Sequence, residues 1–294
     1  MADITAAMVK ELRTLTGAGV MACKNALVET DGNMDEAVKW LREKGISKAA
    51  KKATRIAAEG VCAFKVKGNN AVTFEVNSET DFVAKNPKFI ELVDQIGTAL
   101  VESGAKNDEE AQDATFEGTK VSDLIVNATA TIGEKISLRR VEAYTKNDNQ
   151  VFGAYSHMGG KIVALSILDG NNEECAKDVC MHVAAMSPKF LSRDDVDPEY
   201  IASETEILKQ EALNEGKPAA IVDKMVVGRL QKSLKEVCLL EQAFVKDPDQ
   251  TVAQFVSSKN CAVVSYTRIA VGEGIEKRKD DFAAEVMAAA GLAK

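Results

Sequence analysis

The chain reads as an α+β protein, and three observations carry that reading. Apolar residues recur at helical spacing through the first 45 or so positions. From Gly60 the pattern changes to period-two alternation rich in β-branched and aromatic residues. An order of strand, turn, strand and helix, closed by a later strand, then occurs twice. The expected divisions are a helical domain at 1–55 and a core N-subdomain at 56–145. A core C-subdomain at 146–277 follows, carrying an inserted helical hairpin at about 189–236, and a C-terminal helical module at 278–294 ends the chain.

Three short amphipathic helices open the sequence. Ile4, Met8, Leu12 and Leu15 mark the first, which Gly17 stops. Met21 to Val28 makes the second, ended by Asp31-Gly32. The third starts from a cap near Asn33, carries Ala37, Val38 and Leu41, and is expected to stop at Gly45. So few residues bury only a small core. Gly17-Ala18-Gly19-Val20-Met21-Ala22 matches a dinucleotide fingerprint in letters, but a helix precedes it instead of a strand, which excludes that use. Arg42 to Arg55 holds six basic residues and one acidic one. It reads equally as a solvated linker helix or as a basic face for an acidic partner.

The first α+β copy begins with strands at 61–66 and 71–76 joined by Gly68-Asn69-Asn70. Asn86-Pro87 is an N-cap and first-turn pair for a helix at 87–101, with Phe89, Ile90, Val93, Ile96 and Leu100 expected on its buried face. Between strand and helix lie Thr80, Asp81, Phe82, Val83, Ala84 and Lys85. Ser78 with Asp81 three residues on fits a capping box, predicting one helical turn. Phe82 and Val83 could fold into the core while Asp81 caps, or Phe82 beside Asp81 could be a wedge entering a partner. Apolar loop residues are more often packing. An acidic stretch at 108–117, a helix near 121–131 and a strand at 136–144 complete the copy.

After the polar break 146–150 the order restarts, with strands at 151–156 and 162–168, a helix at 173–186 and a late strand at 261–270. First strands lie about 90 residues apart and third strands about 126, so the second copy has gained roughly 36 residues. That insertion carries two amphipathic runs, from Asp197-Pro198 and after the break at 214–218, an antiparallel helical hairpin. It either projects as an arm or lies back on its own core. Phe282, Val286 and Met287 share one face of a short terminal helix.

A net charge of −8 argues against broad nucleic-acid binding. Six scattered cysteines without a CxxC pair read as reduced thiols. Cys175, Cys180 and His182 are spread around a helix axis and predict no metal site. No phosphate loop, GxSxG or HExxH occurs, so no catalytic residue, cofactor or metal is expected. His182 reads as structural. With no signal pattern and no apolar run near 18 residues, a cytoplasmic protein without a membrane segment is expected.

Thr80-Asp81-Phe82-Val83-Ala84-Lys85-Asn86 closely resembles the signature of the bacterial elongation factor Ts family. The likeness extends to Thr16-Gly17-Ala18-Gly19 with Cys23-Lys24 and Ala26-Leu27, and to Val271 through Lys277. The resemblance implies a ubiquitin-associated-like N-terminal domain and a guanine-nucleotide exchange factor for elongation factor Tu. It implies that Thr80, Asp81, Phe82 and Val83 disturb the partner's Mg²⁺ site, with His157, Gly159, Gly160, Phe282, Val286 and Met287 as further contacts. It also permits a homodimer or a 2:2 complex through the hairpin. Two positions depart from the family pattern: Lys161 where arginine is usual, and Ser78 where cysteine is common. The competing reading is a ubiquitin-associated adaptor, which would account for residues 1–45 alone.

Overall fold

The protein was described from a computed structural model covering residues 4–16 and 18–276. Helices and strands are mixed through the chain, as expected of an α+β fold. Two compact units are present, one formed by Met1–Lys67, Val72–Ala143 and the stretch from Ala270, the other by Gly68–Ala71 and Tyr144–Ile269.

The first unit opens with α1 (Ala6–Thr16), α2 (Val20–Glu29) and α3 (Met34–Ala50). Leu12, Cys23, Ala26, Leu27 and Ala37 form their small core, with Met8, Trp40 and Leu41 packed against it. Asn33 caps α3 by accepting from the Glu36 N–H at 3.1 Å. This helix does not stop at Gly45 but continues to Ala50. Gly45 is buried, and a Cβ there would sit 3.4 Å from the Ala130 Cβ of a facing helix, so the residue serves close packing instead of termination.

Next come β1 (Glu59–Lys67), β2 (Asn70–Ser78), the single turn α4 (Asp81–Ala84) and α5 (Pro87–Ser103). Asn86 caps α5 as expected, its side chain accepting from the Lys88 N–H at 2.9 Å. Short α6 (Asp108–Asp113), a two-residue ribbon of β3 (Thr115–Phe116) with β4 (Thr119–Lys120), and α7 (Val121–Ile132) lead to β5 (Ser137–Thr145). The sheet order is β1-β2-β5. Phe74 and Val76 of β2, Phe89, Leu92, Val93, Ile96 and Leu100 of α5, and Leu138 and Val141 of β5 form one core. Ile90 is exposed and Leu92 takes its expected place, because position 90 lies a quarter-turn off the stripe through 89, 93, 96 and 100.

The second unit pairs β6 (Gln150–His157) antiparallel with β7 (Ile162–Asp169), register Gln150↔Asp169 through His157↔Ile162. Helix α8 (Glu173–Met186) covers them so closely that a Cβ on Gly153 would lie 2.2 Å from the Ala176 carbonyl oxygen. Then follow α9 (Pro198–Asn214), α10 (Ala219–Val237), the small ribbon β8 (Ala243–Phe244) with β9 (Asp247–Thr251), α11 (Val252–Ser258) and β10 (Ala262–Ala270). The sheet order β10-β7-β6 places the late strand beside the middle one, as in the first sheet. Phe244 stacks on Phe255 with centroids 4.0 Å apart in the core beneath.

His182 is fully buried there. Its Nδ1 accepts from the Val245 N–H at 3.1 Å, so the ring proton is on Nε2 and is donated to Gln242 Oε1 at 2.8 Å. Burial holds its pKa below the ordinary histidine value. The unfolded chain therefore takes up a proton at a pH where the folded chain does not. Stability from this site is complete above about pH 6.5 and is lost as pH falls toward the lower folded value. Urea unfolding across roughly pH 5 to 8 should show a His182→Gln variant losing less stability on acidification than the parent. Equal slopes would mean that His182 carries no such linkage.

Helices α9 and α10 carry two small clusters outside that core. Ala212, Val222 and Val226 pack near the tip with Leu208. Val196, Leu234 and Cys238 pack near the base with Phe190, Tyr200 and Ile201. Replacing residues 206–228 by a short glycine-rich linker should therefore leave a cooperative melt. Removing 197–236 entirely should lower the melting temperature further, because it uncovers Phe190, Val196 and Cys238. A non-cooperative melt of the shorter deletion would show that the tip belongs to the core.

Candidate functional site

The end of β2 is unusually well tied down. The Asn77 amide donates to Glu75 Oε1 at 2.7 Å and to the Glu59 carbonyl at 3.1 Å. Ser78 is buried and its hydroxyl donates to the Thr80 carbonyl at 2.9 Å, so the capping box expected from Ser78 and Asp81 is not made. Thr80 takes the N-cap position of α4 without a side-chain cap bond. Its N–H and its hydroxyl both donate to the Glu134 carboxylate, at 2.9 and 2.7 Å. Glu79 accepts the Lys135 N–H at 2.6 Å and lies 3.3 Å from the Arg55 guanidinium. The Lys135 ammonium closes the set by donating to the Arg55 carbonyl at 2.9 Å.

Above this frame the single turn divides its side chains. Val83 and Ala84 are buried, and Val83 joins the core of the first unit. Phe82 is 81% exposed. Burying such a ring would stabilise the chain by about 1.5–3 kcal/mol, a gain forgone here. The packing alternative therefore holds for Val83 and fails for Phe82. Asp81 pairs with Lys85 one turn on, 2.9 Å apart. Of the four positions expected to meet a partner here, Phe82 sits at the surface, Asp81 is half-buried with its carboxylate side chain 45% exposed, Thr80 is half-buried in the frame, and Val83 anchors the turn.

His157 ends β6, and its Nδ1 lies 3.1 Å from the Tyr155 hydroxyl. Met158, Gly159 and Gly160 follow with φ of 50°, 66° and 91°, a left-handed run that glycine adopts readily. Gly159 and Met158 are exposed and Gly160 is buried. Phe282, Val286 and Met287 lie outside the described residues.

Glu79, Glu134 and Lys135 escape a sequence reading, since the contact joins positions 54 to 56 apart. A glutamate after a helix-ending glycine was the sole local hint. The basic stretch is partly engaged inside the chain. Arg42 pairs with Asp123 at 2.6 Å, Lys52 donates to the Gly133 carbonyl, and Arg55 holds Glu79. Between these helices and α7 runs a cleft of about 640 Å³, lined by Leu15, Val38, Trp40, Lys44 and Asn127 among others.

No group of three or more metal-binding side chains occurs among the described residues. No helix among them is long and apolar enough to cross a membrane. All six cysteines are buried, and burial pushes the Cys62 and Cys180 thiols up to about 12, which removes them from nucleophilic chemistry near neutral pH. What the surface offers is an exposed phenyl ring beside a carboxylate, on a turn fixed from below.

A family model described as Elongation factor TS matches residues 79–273, two-thirds of the chain. Elongation factor Ts of Acholeplasma laidlawii (strain PG-8A) is 54% identical over 290 residues, spanning 97% of this chain and 98% of that protein. The chain belongs to the elongation factor Ts family of translation elongation factors.

Proposed function

We propose that the protein is the guanine-nucleotide exchange factor for elongation factor Tu, with the Asp81–Phe82 turn as its working element. The observation that carries this reading is the 81% exposure of Phe82 on a turn whose next two residues are buried. An aromatic ring held in water by a rigid scaffold is suited to entering a preformed recess of a partner. Asp81 and Phe82 enter near the Mg²⁺ site of the partner's nucleotide domain and displace side chains there. The metal and the β-phosphate lose contacts, and GDP leaves. The energetics are those of linkage: a factor that binds the empty partner more tightly than the GDP-bound one must weaken GDP binding by the same ratio. No covalent bond changes in this protein, and it needs no cofactor.

Within the same reading Thr80 and Val83 hold the turn, and His157 with Gly159 and Gly160 meets the partner at a second point. Phe282, Val286 and Met287 supply a third. Helices α1 to α3 form a ubiquitin-associated-like domain, the two sheets of matching strand order reflect a duplicated unit, and α9 with α10 offers a surface for a second copy. A ubiquitin-associated adaptor leaves the Phe82 turn without a purpose, and the family match favours exchange.

Release of labelled GDP from purified elongation factor Tu, with and without this protein, tests the reading directly. Phe82→Ala should change folding stability by less than about 0.5 kcal/mol, as at an ordinary surface site. It should slow exchange by about 10- to 100-fold, the worth of one buried aromatic contact at the partner. Asp81→Ala should slow exchange as well and lose a further few tenths of a kcal/mol of stability with its Lys85 pair. A Phe82→Ala variant with full exchange activity would remove the turn from the mechanism.

A further inference from the structure

Helix α4 is four residues long, too short to hold itself by its own hydrogen bonds. Its shape in the free protein must come from outside, and the contacts described above show where. Glu134 receives the Thr80 N–H and hydroxyl, while Glu79 receives the Lys135 N–H. Each of two neighbouring pairs, 79–80 and 134–135, thus gives one carboxylate and takes one on a backbone amide. The exchange staples the start of the turn to the connection between α7 and β5. Arg55 neutralises part of the charge on Glu79 from 3.3 Å.

We propose that Glu134 and Glu79 are positioning residues for exchange, holding Asp81 and Phe82 in their docking geometry before the partner arrives. This rests on the exchange reading. A turn already ordered loses no conformational freedom when it enters its recess, and that saving appears as rate. Without the staple the turn samples many shapes, and the fraction competent to enter falls. The remaining contacts still capture the partner, so capture and insertion separate in the kinetics.

The experiment uses the full chain and GDP-loaded elongation factor Tu, with Glu134→Ala, Glu134→Gln, Glu79→Ala and Phe82→Ala. Glu134→Ala should lower the maximal rate of GDP release about tenfold, while KM for the loaded partner stays within about twofold because the contacts that capture it do not need the ordered turn. Glu134→Gln should restore most of that rate, because its amide oxygen still accepts from Thr80 N and its N–H still meets the Thr80 hydroxyl. Glu79→Ala should act in the same direction. Amide hydrogen exchange of the free proteins gives a readout independent of the partner: residues 80–84 should exchange faster in Glu134→Ala, with the sheet unchanged. Wild-type release by folded Glu134→Ala, a Gln variant no better than Ala, or unchanged protection at 80–84 would each overturn the proposal. Failure of the exchange reading looks different, since the parent or Phe82→Ala would then show the fault while the amide protection still responded to Glu134.

Discussion

The first unit depends on one buried carboxylate. Glu75 lies in the middle of β2 with no exposed surface, and all its acceptor sites are used. Arg139 Nε and Arg140 Nε donate to one oxygen at 2.7 and 2.8 Å; the Asn77 amide and the Gly272 N–H donate to the other, both at 2.7 Å. A buried charge is tolerable only with such complete pairing, and removing one partner of such a set typically costs about 3–5 kcal/mol. The arginines come from β5 and Gly272 from the stretch after β10, so three separated parts of the sequence meet at one side chain. Arg140 adopts φ 54° to make its contacts, a strained backbone that the ion pairs hold in place. Its guanidinium also pairs with Glu273 at 2.9 Å.

This lock has a consequence for the site. Fixing Glu75 fixes Asn77 two residues on, and Asn77 in turn ties β2 to the carbonyl of Glu59. The strand therefore ends at a defined point, and the turn that carries Phe82 starts from there. The Glu79 and Glu134 contacts then orient the turn itself. Rigidity is layered, from the buried ion network through the end of the strand to an exposed ring. That order suits the wedge role proposed for Phe82, because an aromatic side chain on a loose loop would collapse onto its own surface.

The polar and apolar parts of the chain divide the same labour differently in the second unit. There a buried histidine, His182, is neutral and matched by one donor and one acceptor. Gly153 lets α8 lie almost on the backbone of β6, and stacked Phe244 and Phe255 fill the space below. Helices α9 and α10 carry one apolar cluster of their own near the tip, and a second joins their base to Phe190, Val196 and Cys238.

Local patterning determined most of the elements. Period-two runs gave the six long strands to within a residue or two, and Asn86-Pro87 and Asp197-Pro198 placed helix starts through capping that needs no tertiary partner. The site turn was legible as a short helix between strand and helix. Tertiary structure decided what local rules leave open. Gly45 looked like a stop and is a packing contact, since its neighbour Ala130 comes from a helix far along the chain. Ser78 looked like a cap and is not, because its buried hydroxyl donates to the Thr80 carbonyl and Thr80 takes the N-cap position instead. The ribbons β3–β4 and β8–β9 and the short α11 have too few residues to show a period. Whether Phe82 packs inward could not be read from its neighbours, since burial of a turn residue depends on what the rest of the chain places beneath it. Val83 and Ala84 take that space, and Phe82 is left in water.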